Sequence, residues 1–184
     1  GGWILDASGL PVKSKTLVVA STGYTGAAQI LATKTGALTF TATSGTSTAT
    51  FTLQTTNAVT DARYVTLKKD GNNVVATVTG RYGNGVPGAS VQISTSVGTL
   101  GNGQSTATYL TDLNGNVTVD PVGQGDAVIT AIGTNAADYT SLAGYVGTTI
   151  VESTVIAGNS TATMSMTLAD VTSQDAIDAA NEAT

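Results

Sequence analysis

Residues 85–94 read GVPGASVQIS and contain the pattern that recurs along the chain, a turn signal followed by alternating apolar and polar residues. Its first five residues, GVPGA, combine two glycines with a proline, which is typical of a tight turn. After the turn, Val91 and Ile93 alternate with polar residues. Alternation with period two places every second side chain on one face of an extended chain. The stretch therefore predicts a turn that leads into a half-buried β-strand.

The same alternation recurs along the chain between short turn signals such as Asp-Gly and Asn-Gly. The alternating apolar positions are Val65 and Leu67, Val74 to Val78, Val117 and Val119, Ala127 to Ala131, and Ala162 to Leu168. The turn signals lie at 70–73, 83–85, 101–103 and 114–115. Strands at a spacing of roughly 8–12 residues with such turns are typical of an antiparallel β-sandwich. No stretch with helical periodicity precedes residue 172.

The chain also resembles itself. Residues 32–54 align with residues 110–132 with one gap, which indicates two tandem copies of one immunoglobulin-like unit. We therefore predict an immunoglobulin-like domain over 1–57 and a second one, with additional strands, over 58–170. Strands are expected at 151–157 and 162–168, and they either complete the second domain or belong to a partial extra sheet. Residues 61–75 have no counterpart in the first copy. The first domain is thus expected to be truncated at its N-terminus, and either trimming or strands from a neighbouring chain would account for this.

The last residues, 171–184, read VTSQDAIDAANEAT and differ from all that precedes them. Thr172 and Asp175 have the spacing of a capping box, and alanine is the best helix former. Acidic residues near a helix N-terminus are favourable. This segment is predicted to begin an Ala-rich helix that continues in a longer parent chain, and the alternative is a frayed, solvated tail.

The composition excludes several classes of function. Only 10% of the residues are charged, the net charge is −5, and cysteine and histidine are both absent. Thiol nucleophiles, zinc fingers and Ser-His-Asp triads are therefore excluded. Without a basic patch, a nucleic-acid partner is not expected. No pair of acidic residues stands out as a hydrolytic pair, so no catalytic residue is assigned and the chain is not expected to be an enzyme. No apolar run is long enough to span a membrane.

Two kinds of candidate site occur after residue 110. Asp112, Asn114 and Asn116 in TDLNGNVTV have the odd spacing with which a calcium loop begins, and Asp120 is the next acid. A simple Asn-Gly hairpin turn is the alternative interpretation. Asp120 and Asp126 flank one loop and are further candidate ligands for a cation. Two glycosylation sequons begin at Asn116 and Asn159.

The combination of GVPGASVQISTSVGTL (85–100), TDLNGNVTV (111–119) and SQDAIDAANEAT (173–184) resembles the S-layer proteins of ammonia-oxidising archaea. This resemblance implies an extracellular structural subunit at the cell surface that contacts copies of itself in a lattice. It also implies that divalent cations, Ca²⁺ among them, are the cofactors to expect. The repeat motifs alone are similar to the group 1 immunoglobulin-like domains of invasin-type adhesins. The alternative function is therefore the stalk of a cell-surface adhesin.

Overall fold

The structure is a computed structural model, and it describes residues 2–5, 11–12, 29–134, 136, 138–140, 144–146, 149–151 and 155–169. In this part of the chain the only helical element is a 3₁₀ turn at Val59–Asp61. All other regular elements are strands: β1 (Gly2–Leu5), β2 (Pro11–Val12), β3 (Gln29–Ala32), β4 (Gly36–Ser44), β5 (Ser47–Thr55), β6 (Ala62–Asp70), β7 (Asn73–Gly80), β8 (Ser90–Thr95), β9 (Thr106–Leu110), β10 (Asn116–Val119), β11 (Gly125–Gly133), β12 (Tyr139–Thr140), β13 (Gly144–Val146), β14 (Thr149–Val151), β15 (Val155–Ile156) and β16 (Thr161–Leu168).

The chain divides into two compact units, each of which is discontinuous in sequence. The first consists of Gly1–Asn57 and Asp138–Ala157, and the second consists of Ala58–Ala137 and Gly158–Thr184. The first passage between the units lies between Asn57 and Ala58. Residues 138–157, which the sequence analysis assigned to the second domain, belong to the first unit instead. The chain therefore passes between the units three times.

Two antiparallel sheets form the second unit. One sheet has the strand order β10-β7-β6, and the other has the order β16-β11-β8-β9. The strands β6 and β7 form a hairpin whose closing pair is Asp70 and Asn73, as the Asp-Gly turn signal predicts. Gly71 in this turn has a φ of 62°, a conformation in which glycine carries no steric penalty. At the edge of the sheets, Asn159 beside β16 exchanges backbone hydrogen bonds with Val65 and Arg63 of β6, each of 2.8 Å.

One hydrophobic core joins these two sheets. Alternate residues of each strand enter it, so the period-two pattern of the sequence corresponds to one buried face per strand. The core side chains from the strands are Ala62, Val65, Val74, Ala76, Val78, Val91, Ile93, Val117, Val119, Ala127, Ile129, Ala131, Met166 and Leu168. Ile93 and Ile129 are completely buried. Burial of an aliphatic side chain of this size stabilises a fold by about 1.5–3 kcal/mol, so the core is the main source of this unit's stability.

The described strands of the first unit form small separate sheets. β1 lies between β2 and β3, β12 pairs with β15, and β13 pairs with β14. The fourth pairing, between β4 and β5, is the longest and contains nine residue pairs, from Gly36 with Thr55 to Ser44 with Ser47. We call these two strands the β4–β5 ribbon.

The two faces of the β4–β5 ribbon differ in chemistry. On one face Leu38 lies opposite Leu53, and Phe40 lies opposite Phe51. The two phenylalanine rings stack with centroids 5.2 Å apart. The other face carries only threonines in its central pairs, and these are Thr39 with Thr52, Thr41 with Thr50, and Thr43 with Thr48. The ribbon therefore has one apolar face and one polar face.

The two sequence stretches that align with each other are not paired alike. In the second unit β10 and β11 lie in different sheets, and residues 120–124 connect them. The corresponding strands of the first unit, β4 and β5, pair directly through the two-residue turn Gly45-Thr46. A two-residue connection forces neighbouring strands into one hairpin, whereas a longer one allows the chain to change sheets.

The expected all-β class with antiparallel sheets is confirmed for the described part of the chain. Every pair of strands in it is antiparallel. The Ala-rich helix predicted over 171–184 lies outside the described residues. No helix in the described part is both long and apolar enough to cross a membrane.

Candidate functional site

The two motifs on which the resemblance depends, GVPGA (85–89) and TDLNG (111–115), form one pair of turns in the second unit. Thr111 connects them. Its hydroxyl donates a hydrogen bond of 2.6 Å to the carbonyl oxygen of Val86 and accepts one of 2.8 Å from the amide of Ala89. Its backbone binds the same turn. The amide of Gly88 donates to the carbonyl oxygen of Thr111, and the amide of Thr111 donates to the carbonyl oxygen of Ala89, each at 3.0 Å. We call this arrangement the turn pair.

Two glycines allow the turns of the turn pair to approach each other. A Cβ atom added to Gly85 would lie 1.9 Å from the carbonyl oxygen of Asn114. A Cβ atom added to Gly115 would lie 2.5 Å from the carbonyl oxygen of Val78, and Gly115 also has a φ of 79°. Neither position has space for a side chain. The Asn-Gly and Gly-Val-Pro signals of the sequence therefore reflect the close contact of two backbones.

Asp112 organises the second turn of the pair. Its Oδ1 atom accepts hydrogen bonds from the backbone amides of Asn114 and Asn116, each of 2.8 Å. The Asp112 amide donates to the Asn116 carbonyl oxygen at 2.8 Å, and the Gly115 amide donates to the Asp112 carbonyl oxygen at 3.0 Å. One carboxylate oxygen is therefore already engaged in holding the turn. A turn held by the Asp112 side chain accounts for these contacts without a metal ion. The hairpin that the sequence suggested as the alternative is not formed, because β9 and β10 lie in different sheets.

The four predicted cation ligands do not all lie at one end of their strand. Asp112 and Asn114 are in the turn before β10 and Asn116 is its first residue, while Asp120 follows its last residue. Four residues of extended chain span about 13 Å, which is far more than two ligands of one Ca²⁺ ion can be apart. The Asn116 side chain is also engaged, since its Oδ1 accepts a hydrogen bond of 2.8 Å from the Thr77 hydroxyl.

Asp120 and Asp126 flank the connection between β10 and β11. The Oδ1 atom of Asp126 accepts a hydrogen bond of 2.8 Å from the hydroxyl of Thr167 on the neighbouring strand β16. Both carboxylates belong to exposed residues. Among the residues that the structure describes, no group of three or more acidic, histidine or cysteine side chains is arranged to hold a metal ion.

The two glycosylation sequons lie in different surroundings. Asn116 is half-buried, opposite Thr77 in the sheet, and its side-chain oxygen is bonded to that residue. Asn159 is exposed, and its side-chain oxygen accepts only a longer bond of 3.3 Å from the Thr161 amide. Its backbone is held by β6, so the side chain projects from an ordered position. Asn159 is therefore the more accessible of the two sequon asparagines.

The role of Thr111 was not visible in the sequence. The chain contains 35 threonines, and nothing in the sequence distinguishes one that is buried and makes two hydrogen bonds from the others. The signal that could have indicated it is its position directly before Asp112, in a turn that follows the edge strand β9.

No protein-family model, curated protein or solved structure matches this chain.

Proposed function

We propose that this chain is part of the structural subunit of an extracellular surface layer, which self-assembles into a two-dimensional protein lattice on the cell. The resemblance in residues 85–119 and 173–184 supports this proposal. The low content of charged residues, 10% of the chain, is also in keeping with a passive scaffold. In this proposal the subunit acts by contact with copies of itself, and no catalytic residue is assigned.

We propose further that the second unit is an immunoglobulin-like domain. Its seven strands divide into sheets of three and four, β10-β7-β6 and β16-β11-β8-β9, around one core. Seven antiparallel strands in two packed sheets are the number and arrangement of such domains. The tandem arrangement, with a truncated copy before residue 58, and the Ala-rich helix over 171–184 are also parts of this proposal.

The observation that carries the proposal is the outer face of the four-stranded sheet. Asp126 is the only charged residue in the four strands of this sheet. The outer face exposes Leu110, Val128 and Ile132 between threonines and serines. The centres of protein–protein interfaces are poor in charged residues. A broad, uncharged sheet surface is thus suited to contact with another protein rather than with water alone.

Electron microscopy of the full-length parent protein, in Ca²⁺ and then in a chelator, tests the proposal. Ordered two-dimensional sheets are expected in Ca²⁺. Isolated rods under both conditions would contradict the lattice and would favour the alternative, the stalk of an adhesin.

The proposal includes a bound Ca²⁺ ion, for which the Asp112 turn and the Asp120–Asp126 connection are separate candidate positions. Asp112→Asn and Asp120→Asn each remove one charge and keep a side-chain oxygen. Titration calorimetry with Ca²⁺ on both variants assigns the ion to one position. Unchanged Ca²⁺ binding in both variants would contradict both assignments.

A further inference from the structure

The β4–β5 ribbon has two outer edges without the protection that edge strands usually have. Each strand is nine residues long, and the register contains no bulge. No charged residue and no proline occurs between Lys34 and Asp61. Charges, prolines and bulges are the devices that prevent an edge strand from pairing with another chain. In the part of the chain that the structure describes, neither outer edge pairs with a further strand.

The strand β5 is exposed along almost its whole length. Every residue from Ser47 to Gln54 is exposed, and the exposed fractions of Phe51 and Leu53 are 50% and 44%. A ribbon of two strands is only marginally stable in water, and a third strand or a packed face is needed for more. The structure therefore presents a strand that would gain stability from an additional neighbour.

The ribbon is self-complementary in sequence. Residues 38–53 read LTFTATSGTSTATFTL, which is the same in both directions on either side of the central Gly45-Thr46. When a second β5 is aligned antiparallel to the first so that all nine residues overlap, Phe51 lies opposite its own copy. In this register Thr50 lies opposite Thr52, and Ala49 lies opposite Leu53. Apolar residues thus meet apolar residues and polar residues meet polar residues, with Thr48 opposite Gln54 towards the ends, so both faces of the ribbon continue into the second copy.

We propose that the outer edge of β5 pairs with β5 of a second copy of this chain and forms a four-stranded antiparallel sheet centred on Phe51. The pair is related by a two-fold axis, so each copy contributes the same surface and the contact closes. Both copies carry a net charge of −5, and an uncharged strand lets them meet with little local repulsion. The inference deepens the self-assembly proposed above and rests on it for its biological role.

The size of the ribbon limits the strength of this contact. Nine residues at about 3.4 Å each give an edge about 30 Å long, and a sheet is about 10 Å thick, so the edge of β5 offers roughly 300 Å². A stable interface of standard size buries about 800 Å² on each partner. The contact is therefore weak in isolation and gains effect when many copies are held together. A covalent trap is the appropriate way to detect it.

Single cysteines provide this trap, because the natural chain contains none. Directly opposed residues of antiparallel strands have Cα atoms about 4.5–5.5 Å apart, which is within the range of a disulfide bond. Phe51→Cys in the 184-residue chain should therefore form a disulfide-linked dimer under mild oxidation. Phe40→Cys is the matched control, because it removes the other ring of the same stacked pair.

The control position is too far from its own copy to be linked. In the proposed sheet the two copies of residue 40 are three strand spacings apart, about 14 Å, so they cannot form a disulfide. A dimer from Phe51→Cys without one from Phe40→Cys supports the proposal. Equal dimer formation by both variants, dimer formation by Phe40→Cys alone, or no dimer from either variant overturns it.

A second pair of variants tests the contact without cysteine. Thr50→Lys/Thr52→Lys places four positive charges at the proposed seam, with opposed side chains about 5 Å apart. Thr39→Lys/Thr41→Lys makes the mirror-image change on β4, where the charges of the two copies are farther apart than the screening length of about 8 Å. At a protein concentration high enough to populate the weak contact of the natural chain, sedimentation equilibrium should show loss of self-association in the first variant and retention in the second. Equal association in both variants would overturn the proposal.

These experiments separate the ribbon contact from the proposed function. Ordered sheets of the full-length parent combined with no Phe51→Cys dimer would overturn the ribbon contact and leave the lattice standing. A specific Phe51→Cys dimer combined with isolated rods of the parent would support the ribbon contact and contradict the lattice.

Discussion

The hydroxyl of Thr111 donates a hydrogen bond of 2.6 Å to the carbonyl oxygen of Val86, and it joins two turns that are 25 residues apart in the sequence. The hydroxyl oxygen of Thr111 also accepts a hydrogen bond from the amide of Ala89, so one side chain satisfies a donor and an acceptor of the GVPGA turn. Thr111 is 6% exposed, and water cannot easily replace these bonds. The turn pair therefore depends on a single buried hydroxyl.

Replacement of Thr111 by valine tests this dependence. Thr111→Val keeps the shape of the side chain and leaves the Ala89 amide and the Val86 carbonyl oxygen without their partner. Each unsatisfied buried group costs about 1–3 kcal/mol, so we expect a loss of about 2–4 kcal/mol in the free energy of unfolding, measured with urea. Thr111→Ser should retain most of the stability. Thr118→Val on an exposed position of β10 is the control, and an equal loss there would contradict the assignment.

The close approach at Gly115 predicts a large cost for any side chain. Gly115→Ala combines a left-handed backbone with a Cβ atom 2.5 Å from the Val78 carbonyl oxygen. Gly103 has almost the same φ, 78°, but no atom lies within 4 Å of its added Cβ. Gly103→Ala should therefore cost about 1–2 kcal/mol for the backbone conformation alone, and Gly115→Ala should cost at least about 2 kcal/mol more. Thermal unfolding measures both, and equal values would show that the contact is not tight.

The two faces of β11 should respond differently to truncation. Ile129 is completely buried in the core, whereas Ile132 on the opposite face is 41% exposed. Ile129→Ala is expected to lower the free energy of unfolding by about 2–5 kcal/mol, because it removes buried surface and leaves a cavity. Ile132→Ala should cost less than about 1 kcal/mol. Urea unfolding of both variants gives the comparison, and a reversed order would contradict the strand register.

Asp112 is expected to hold its turn whether or not a cation binds. Asp112→Ala removes the acceptor of two backbone amides and should cost about 1–2 kcal/mol in Ca²⁺-free buffer. Asp112→Asn retains a side-chain oxygen at the same position and should cost less than half of that. Urea unfolding in the presence of a chelator is the measurement. A stable alanine variant would show that the turn does not need the carboxylate.

The two sequons should differ in glycan occupancy. Asn159 is exposed, whereas Asn116 is half-buried and its side-chain oxygen accepts a hydrogen bond from the Thr77 hydroxyl. When the chain is exported from a cell that attaches N-linked glycans, we expect modification at Asn159 and little at Asn116. Mass spectrometry of glycopeptides gives the occupancy, and Asn159→Gln should abolish most of it. Preferential modification of Asn116 would contradict the difference in accessibility.

The sequence allowed the second unit to be predicted in more detail than the first. Val74, Ala76 and Val78 alternate with polar residues, and all three are buried in the core, because burial on one face of a strand imposes this period directly. The Asp-Gly turn after β6 was predictable for a similar local reason. Long-range relationships were not predictable in this way. Strands that pair directly and strands in opposite sheets show the same alternation of apolar and polar residues. The alignment of 32–54 with 110–132 therefore could not indicate that β4 pairs with β5 whereas β10 and β11 lie in different sheets.

The candidate site illustrates the same limit. Spacing along the chain grouped Asp120 with Asp112, although an intervening strand separates them. The bond from Thr111 to Val86 connects residues that no local pattern links. The membership of residues 138–157 in the first unit depends on contacts far away in the sequence, and strand propensity does not carry that information.

The three passages of the chain between the two units have a mechanical consequence. A tandem array joined by single linkers bears load in series, so each domain can extend and refold without its neighbour. Here a pull applied to the ends enters the first unit, crosses to β6, returns after β11 and crosses again before β16. Residues 138–157 of the first unit are joined at both ends to the second unit. A pull on the ends of the chain therefore cannot extend these residues until the second unit has unfolded.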